Sequence, residues 1–224
     1  MRNLKLPFTL LMSGHTGSGK TFLFKKLFNE MRDKFDFVIF FSPTVKISGD
    51  FSMYKEQPDP KKGQVIQKFS ESEDFITITA EIIDSQKILL ESDGIKRSEI
   101  PSIMLVYDDC ANLKITSFRN ILDKFSMSSR HYNTSIVLLT QRLSAIGRSI
   151  RLNAKYVILF SCSNFSELQQ FSEQYLLRKH KKEFEGMLQE IFSVPYNFIL
   201  IENFNPNVGE RMYLNGKDLI EFSN

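Results

Sequence analysis

The chain has 224 residues, 42% of them hydrophobic and 25% charged, a balance that excludes disordered and collagen-like classes. At about 150 residues per domain, residues 1–224 read as one elaborated domain with a full hydrophobic core. With 29 basic and 26 acidic residues the net charge is +3, which excludes a polybasic protein held to nucleic acid by charge alone.

The first residues, Met1 to Pro7, carry no long apolar stretch before a small-residue cleavage site, so no secretion signal is expected. Pro7–Ser13 is an apolar run that predicts a buried strand. It is followed by Gly14-His15-Thr16-Gly17-Ser18-Gly19-Lys20-Thr21, a complete G-x-x-x-x-G-K-[ST]. Glycines allow the tight turn that converges backbone N–H groups on a β-phosphate at a helix N-terminus. Lys20 is then placed to reach the β- and γ-phosphates, and the Thr21 hydroxyl to take a position on Mg²⁺. The string lies between a strand and a helix, because Phe24, Leu27, Phe28, Met31 and Phe35 follow helical spacing. Binding of a nucleoside triphosphate with Mg²⁺ is the reading.

Asp36–Ser42 predicts a second strand, and Pro43 to Lys68, with three prolines and two glycines, an irregular segment. Phe75–Thr79 reads as an extra edge strand and Ala80–Lys96 as a helix. Ser102–Tyr107 predicts a strand that delivers Asp108 and Asp109 to the sheet's C-terminal edge, where α/β ligand sites lie. Asp108 suits a Walker B carboxylate on Mg²⁺, and Asp109 a general base on water. After a helix over Ile115–Ser128, the strand Thr134–Thr140 ends in Gln141, an amide able to report a γ-phosphate. Lys155–Phe160 and Asn197–Ile201 predict further strands, with a helical stripe at Phe184, Met187, Leu188, Ile191 and Phe192 between them. Apolar runs of this kind, alternating with helices, predict an α/β fold with a mainly parallel central sheet flanked by helices. The core spans about residues 5–160, and a helical and strand elaboration covers 161–224.

Among the arginines able to stabilise a transferred phosphoryl group (Arg130, Arg142, Arg148 and Arg151), Arg130 is preferred as a finger, since it precedes a strand at a turn. Cys110 and Cys162 form no CxxC pair, and His15, His131 and His180 are too scattered for a metal triad. No apolar run approaches the ~20 residues that span a bilayer.

Taken together, Gly14–Thr21, Leu105–Asp109, Arg130-His131 and the strand ending in Gln141 resemble the FtsK–HerA superfamily of DNA-pumping ATPases, most of all its viral genome-packaging branch. That branch serves poxviruses, other large DNA viruses and virophages. The resemblance implies an additional-strand, RecA-like P-loop ATPase that forms a homo-oligomeric ring and drives double-stranded DNA into a capsid, with capsid vertex proteins as partners. It implies a location in the host cytoplasm, at the virus factory, or in the virion. By position, Lys20 and Thr21 bind phosphate and metal, Asp108 holds Mg²⁺, Gln141 senses the γ-phosphate and Arg130 acts on a neighbouring subunit. The superfamily usually has Glu where this chain has Asp109.

A P-loop nucleoside or nucleotide kinase is the alternative, with Arg148 and Arg151 as lid residues. The adjacent acids and the strand-end Gln141 favour water over an alcohol as nucleophile. No D-x-x-G or N-K-x-D is present for a GTPase, and no L-S-G-G-Q for an ABC ATPase. For DNA contact two segments compete: the basic run Arg178–Lys182, which also reads as a solvated helix face, and Phe51–Lys68, whose Lys55, Lys61 and Lys62 suit a ring's channel.

Overall fold

The computed structural model describes residues 4–47, 49–110, 116–162, 164–175, 181–207 and 210–220. Its first half runs β1 (Thr9–Ser13), α1 (Lys20–Met31), β2 (Phe37–Phe41), β3 (Val65–Phe69), α2 (Ser72–Glu91), β4 (Ile103–Asp108) and α3 (Thr116–Ser128). The second half continues with β5 (Thr134–Thr140), α4 (Arg148–Asn153), β6 (Tyr156–Phe160), α5 (Phe165–Tyr175), α6 (Lys181–Ser193), β7 (Phe198–Glu202), β8 (Met212–Leu214) and β9 (Asp218–Leu219). These strands form one sheet in the order β3-β2-β4-β5-β1-β6-β7-β8-β9. Pairings from β3 to β6 are parallel, and those from β6 to β9 antiparallel. The sheet is thus mainly parallel, with β1 at its centre and β5 between β1 and β4.

Successive strand residues point to opposite faces, and each face has its own core. Leu11, Phe41, Leu105, Tyr107, Leu138 and Leu159 pack on the side that also buries Phe75 of α2 and Phe125 of α3. Leu10, Met12, Phe40, Val106, Leu139 and Ile158 pack on the other side against Phe24, Leu27 and Phe28 of α1. Covering on both faces is why these strands read as unbroken apolar runs.

Two expectations from the sequence are corrected. Phe75–Thr79 is not an edge strand but the second turn of α2. β3 and β4 run parallel on either side of β2, so the chain between them must cross over, and a helix does so. Its β-branched run is tolerated because Phe75 and Thr79 fall on one buried helix face, where the Thr79 hydroxyl pairs with the Tyr107 hydroxyl at 2.8 Å. Second, the segment predicted to be irregular to Lys68 closes in β3, and its Gln57 bridges Ile66. That segment is also packed: Phe51 and Tyr54 are buried at 0% and 3% exposure. Tyr54 meets Phe28 edge-on with ring centroids 4.8 Å apart, and Phe51 lies 4.9 Å from Phe40. On the face that α1 covers, these two rings add to the apolar packing over β2. α4, α5, β8 and β9 had no counterpart in the sequence reading.

Truncating a fully buried Phe costs about 3–5 kcal/mol. Phe51→Ala should therefore destabilise the fold by about 3 kcal/mol or more in urea unfolding, whereas a solvated loop would lose under about 0.5 kcal/mol.

Candidate nucleotide site

β1 ends at Ser13, and the chain turns across the C-terminal edge of the sheet into α1. Two backbone bonds anchor this turn to its neighbours: Gly14 N–H donates to Thr140 O at 3.3 Å and His15 N–H to Ser161 O at 3.1 Å. The approach is too close for any side chain at Gly14, where a Cβ would lie 2.6 Å from the Phe160 Cβ and 2.8 Å from the Ser18 Oγ. Gly19 has φ 101°, open to glycine and strained for other residues. Lys20, the first residue of α1, is buried, and its Nζ donates to Gly14 O at 2.6 Å and to His15 O at 2.9 Å. Its ammonium thus sits inside the loop that the motif predicts for phosphates. Burial lowers its pKa, while the charges of Asp109 and Asp108 oppose that shift.

Asp108 closes β4 and Asp109 follows it. The Asp108 carboxyl is pushed up to about 6, first by burial and then by the neighbouring Asp109 and Asp50 charges. The Ser42 hydroxyl, donating to its Oδ2 at 3.4 Å, and Lys20 pull the other way. Asp109 adopts a left-handed backbone, φ 52°, and its N–H donates to Leu139 O at 3.0 Å. Gln141 Nε2 donates to Asp109 Oδ2 at 3.0 Å, so the amide at the end of β5 orients the second carboxylate. The other oxygen of that carboxylate, Oδ1, is buried without a partner, as is the Ser18 Oγ in the loop.

Thr16, Gly17, Gly19, Lys20, Thr21, Asp108, Asp109 and Gln141 all line one cleft of about 840 Å³, a volume that accommodates a nucleotide. The Thr21 hydroxyl and the Asp108 carboxylate offer hard oxygen donors, and carboxylates crowded by like charge gain from a divalent cation. This donor set fits Mg²⁺. Among the described residues no cluster of three or more His, Cys, Asp or Glu forms a metal site by itself.

The cleft also holds residues that the sequence reading passed over. Thr44 and Asp50 reach it from the packed segment after β2, and Ser42 supports Asp108 from the end of that strand. A polar residue halting an apolar strand is the signal that singled out Gln141, and Ser42 carries the same one. Phe22, Phe160, Tyr196 and Phe198 line the remaining wall.

The arginines are not gathered there. Arg130 lies in a 3-10 turn, Ser129–Tyr132, that leads into the start of β5, so it stands at the opposite edge of the sheet. There it lines a separate cleft with Pro7, His131 and Lys155. Arg142 and Arg148 are exposed. Arg151 is buried at 8% exposure and so cannot project as a finger. Of the basic run 178–182, residues 178–180 lie outside the described ones, as does His180. Lys55, Lys61 and Lys62 are exposed. Among the described residues no helix is long and apolar enough to cross a membrane.

The sequence matches the family described as Poxvirus A32 protein over residues 2–204. It is 26% identical over 194 residues to the DNA packaging protein OPG160 of Variola virus, covering 87% of this chain and 67% of that protein. To the Monkeypox virus protein of the same name it is 25% identical over 188 residues, covering 84% of this chain and 59% of that one. In fold it resembles the genome packaging NTPase B204 from Sulfolobus turreted icosahedral virus 2, solved with ATP-gammaS. The TM-score is 0.65 and the identity 16%, over 97% of this chain and all of the other. The pCW3 conjugation coupling protein TcpA, solved with ATPgS, gives a TM-score of 0.63 at 14% identity, over 95% of this chain and 62% of that one.

The raised Asp108 carboxyl makes a pH-dependent prediction for the metal-free protein. Its proton is held to about pH 6 in the fold but only to 3.8 when unfolded, so stability is lost as pH rises through that window. Asp108→Asn should therefore be more stable than the wild type at pH 8 in the presence of a chelator, by up to about 3 kcal/mol. The advantage should shrink towards pH 4.5 in denaturation measurements, and a gap independent of pH would contradict it.

Proposed function

The chain belongs to the Poxvirus A32 protein family, and from that premise we propose that it is a motor that hydrolyses Mg-ATP to drive double-stranded DNA into a viral capsid. The observation that carries this reading is the meeting of Lys20, Thr21, Asp108, Asp109 and Gln141 in a single cleft. A DNA packaging protein among its sequence relatives and a genome packaging NTPase among its structural neighbours support DNA as the cargo.

In the proposed mechanism the loop from Gly14 to Thr21 holds the triphosphate, its amides and the Lys20 ammonium turned towards the β- and γ-phosphates. Thr21 and Asp108 would hold the magnesium, whose charge would offset the charge that builds on the phosphate oxygens. Asp109 accepts the proton of the attacking water as its oxygen bonds to the γ-phosphorus and the bond to the β-γ bridging oxygen breaks. Gln141, through its hydrogen bond to Asp109, ties the position of that base to the end of β5 and senses whether a γ-phosphate is present. Asp109 is one methylene shorter than the usual glutamate, and its left-handed backbone and Gln141 contact hold the shorter arm at the cleft.

Arg130 stands at the far edge of the sheet from its own cleft, so in this reading it serves the cleft of a neighbouring subunit in a homo-oligomeric ring. A pump grips duplex without sequence preference, and the exposed Lys55, Lys61 and Lys62 suit contact with phosphates. The reading places the protein where virions assemble, in the host cytoplasm or the particle, with capsid vertex proteins as partners.

The test compares ATP turnover with and without double-stranded DNA. DNA should stimulate the wild type, and Lys20→Ala should abolish turnover. Loss of a trans-acting arginine should lower it about 10³-fold or more in Arg130→Ala. Mixing Arg130→Ala with Lys20→Ala subunits should restore part of the activity, since an intact cleft then meets an intact arginine. Phosphate transfer to an added nucleoside, with no turnover in its absence, would establish a kinase in place of the motor.

A further inference from the structure

We propose that Tyr196 is the stacking platform for the nucleobase, so that the base is held by its aromatic face and not read by its edge. The proposal rests on the nucleotide-binding reading of the cleft and extends it to the part that the phosphate loop does not explain.

The cleft has two unlike ends. Its carboxylates and its amide come from one side of β1: Asp50 after β2, Asp108 and Asp109 at β4, and Gln141 after β5. With the γ-phosphate turned to those groups, the nucleoside must leave the loop on the other side, towards β6 and β7. β7 runs antiparallel to β6, so the start of β7 stands at the same sheet edge as the phosphate loop. This end of the cleft is aromatic. Phe160 and Phe198 form its buried floor with ring centroids 5.3 Å apart. Above them Tyr196 and Phe22 line the same cleft at 71% and 77% exposure, among the most exposed large hydrophobic side chains described. The Tyr196 ring lies beside the phosphate loop, since a Cβ on Gly19 would sit 3.2 Å from its Cδ1.

The backbone at Tyr196 is a second, independent observation. Its φ is 65°, a left-handed conformation that is an outlier for a bulky residue. The turn is tied down on its C-terminal side, where Asn197 Nδ2 donates to Ile191 O at 3.1 Å and Asn215 Nδ2 to Asn197 Oδ1 at 2.8 Å. Strain held by its surroundings in this way is a mark of functional positions. Glycine would relieve it, yet the position carries a large exposed ring facing a nucleotide-sized cleft. Stacking explains that choice, because every base offers a π-face.

The chain contains no tryptophan, so Tyr196→Trp installs a single indole reporter. With Mg²⁺ present, ATP and GTP should both quench its fluorescence, and inorganic tripolyphosphate should not. By calorimetry, Tyr196→Ala should weaken ATP and GTP by the same factor, about 5- to 100-fold, and leave tripolyphosphate affinity unchanged. Tyr196→Gly should weaken both nucleotides equally while raising the melting temperature, which separates stacking from folding. An equal loss for tripolyphosphate, a loss confined to one base, or quenching by protein concentration alone would overturn the assignment. If tripolyphosphate binds wild type and Lys20→Ala alike, the phosphate reading itself is wrong and the base platform falls with it.

Discussion

The cleft depends on three parallel strands ending level. Ser13 of β1 stands beside Thr140 of β5, and Leu139 of β5 beside Asp108 of β4. The residues that follow these strand ends, Gly14, Gln141 and Asp109, are therefore delivered to one line by backbone pairing before any side-chain contact forms. A slip of one residue in either ladder would turn every inward side chain of a strand to the opposite face, and both faces are filled. The hydrophobic core and the chemistry are thus held by the same register. Neither can drift without the other.

Electrostatically, the edge is held away from what a folded protein would choose for stability alone. Burial works against the charge of Lys20, and burial together with two neighbouring acids works against the charge of Asp108. Buried oxygens on Asp109 and Ser18 go without partners. In the proposed function one ligand, a phosphate chain carrying a divalent cation, would relieve each of these unfavourable features and supply the interactions that the fold withholds. Substitutions that stabilise the metal-free protein at this edge are for that reason expected to be the ones that damage the site.

What the sequence disclosed and what it hid divide by range. The phosphate loop is a local string whose meaning is carried by eight consecutive residues. The six main strands are legible because burial on two faces leaves an unmistakable apolar signature. The edge acids and Gln141 could be read by asking what stops such a run. Phe75–Thr79 misled because five residues of β-branched and aromatic character outweigh a crossover constraint that only the sheet order reveals. Phe51 and Tyr54 sit in a stretch full of prolines and glycines, with no period to betray that they pack on α1 and β2. Arg151, a finger and lid candidate by sequence, is buried. Tyr196 carries no sequence signal, since its position beside Gly19 comes from an antiparallel strand about 180 residues further along the chain.

Arg130 and the nucleotide cleft occupy opposite rims of one sheet, and this polarity limits how copies can associate. A two-fold dimer pairs the same patch on both copies, so it joins an arginine to a partner's cleft only where a single antiparallel interface spans both rims. Head-to-tail stacking joins unlike rims at every junction, but an open stack always ends with one cleft unserved. Closure into a circle removes that defect whatever the number of members, odd or even. With Arg130 in the proposed role towards a neighbour, a molecule whose arginine and cleft face opposite ways is directional, and so is the ring proposed for it.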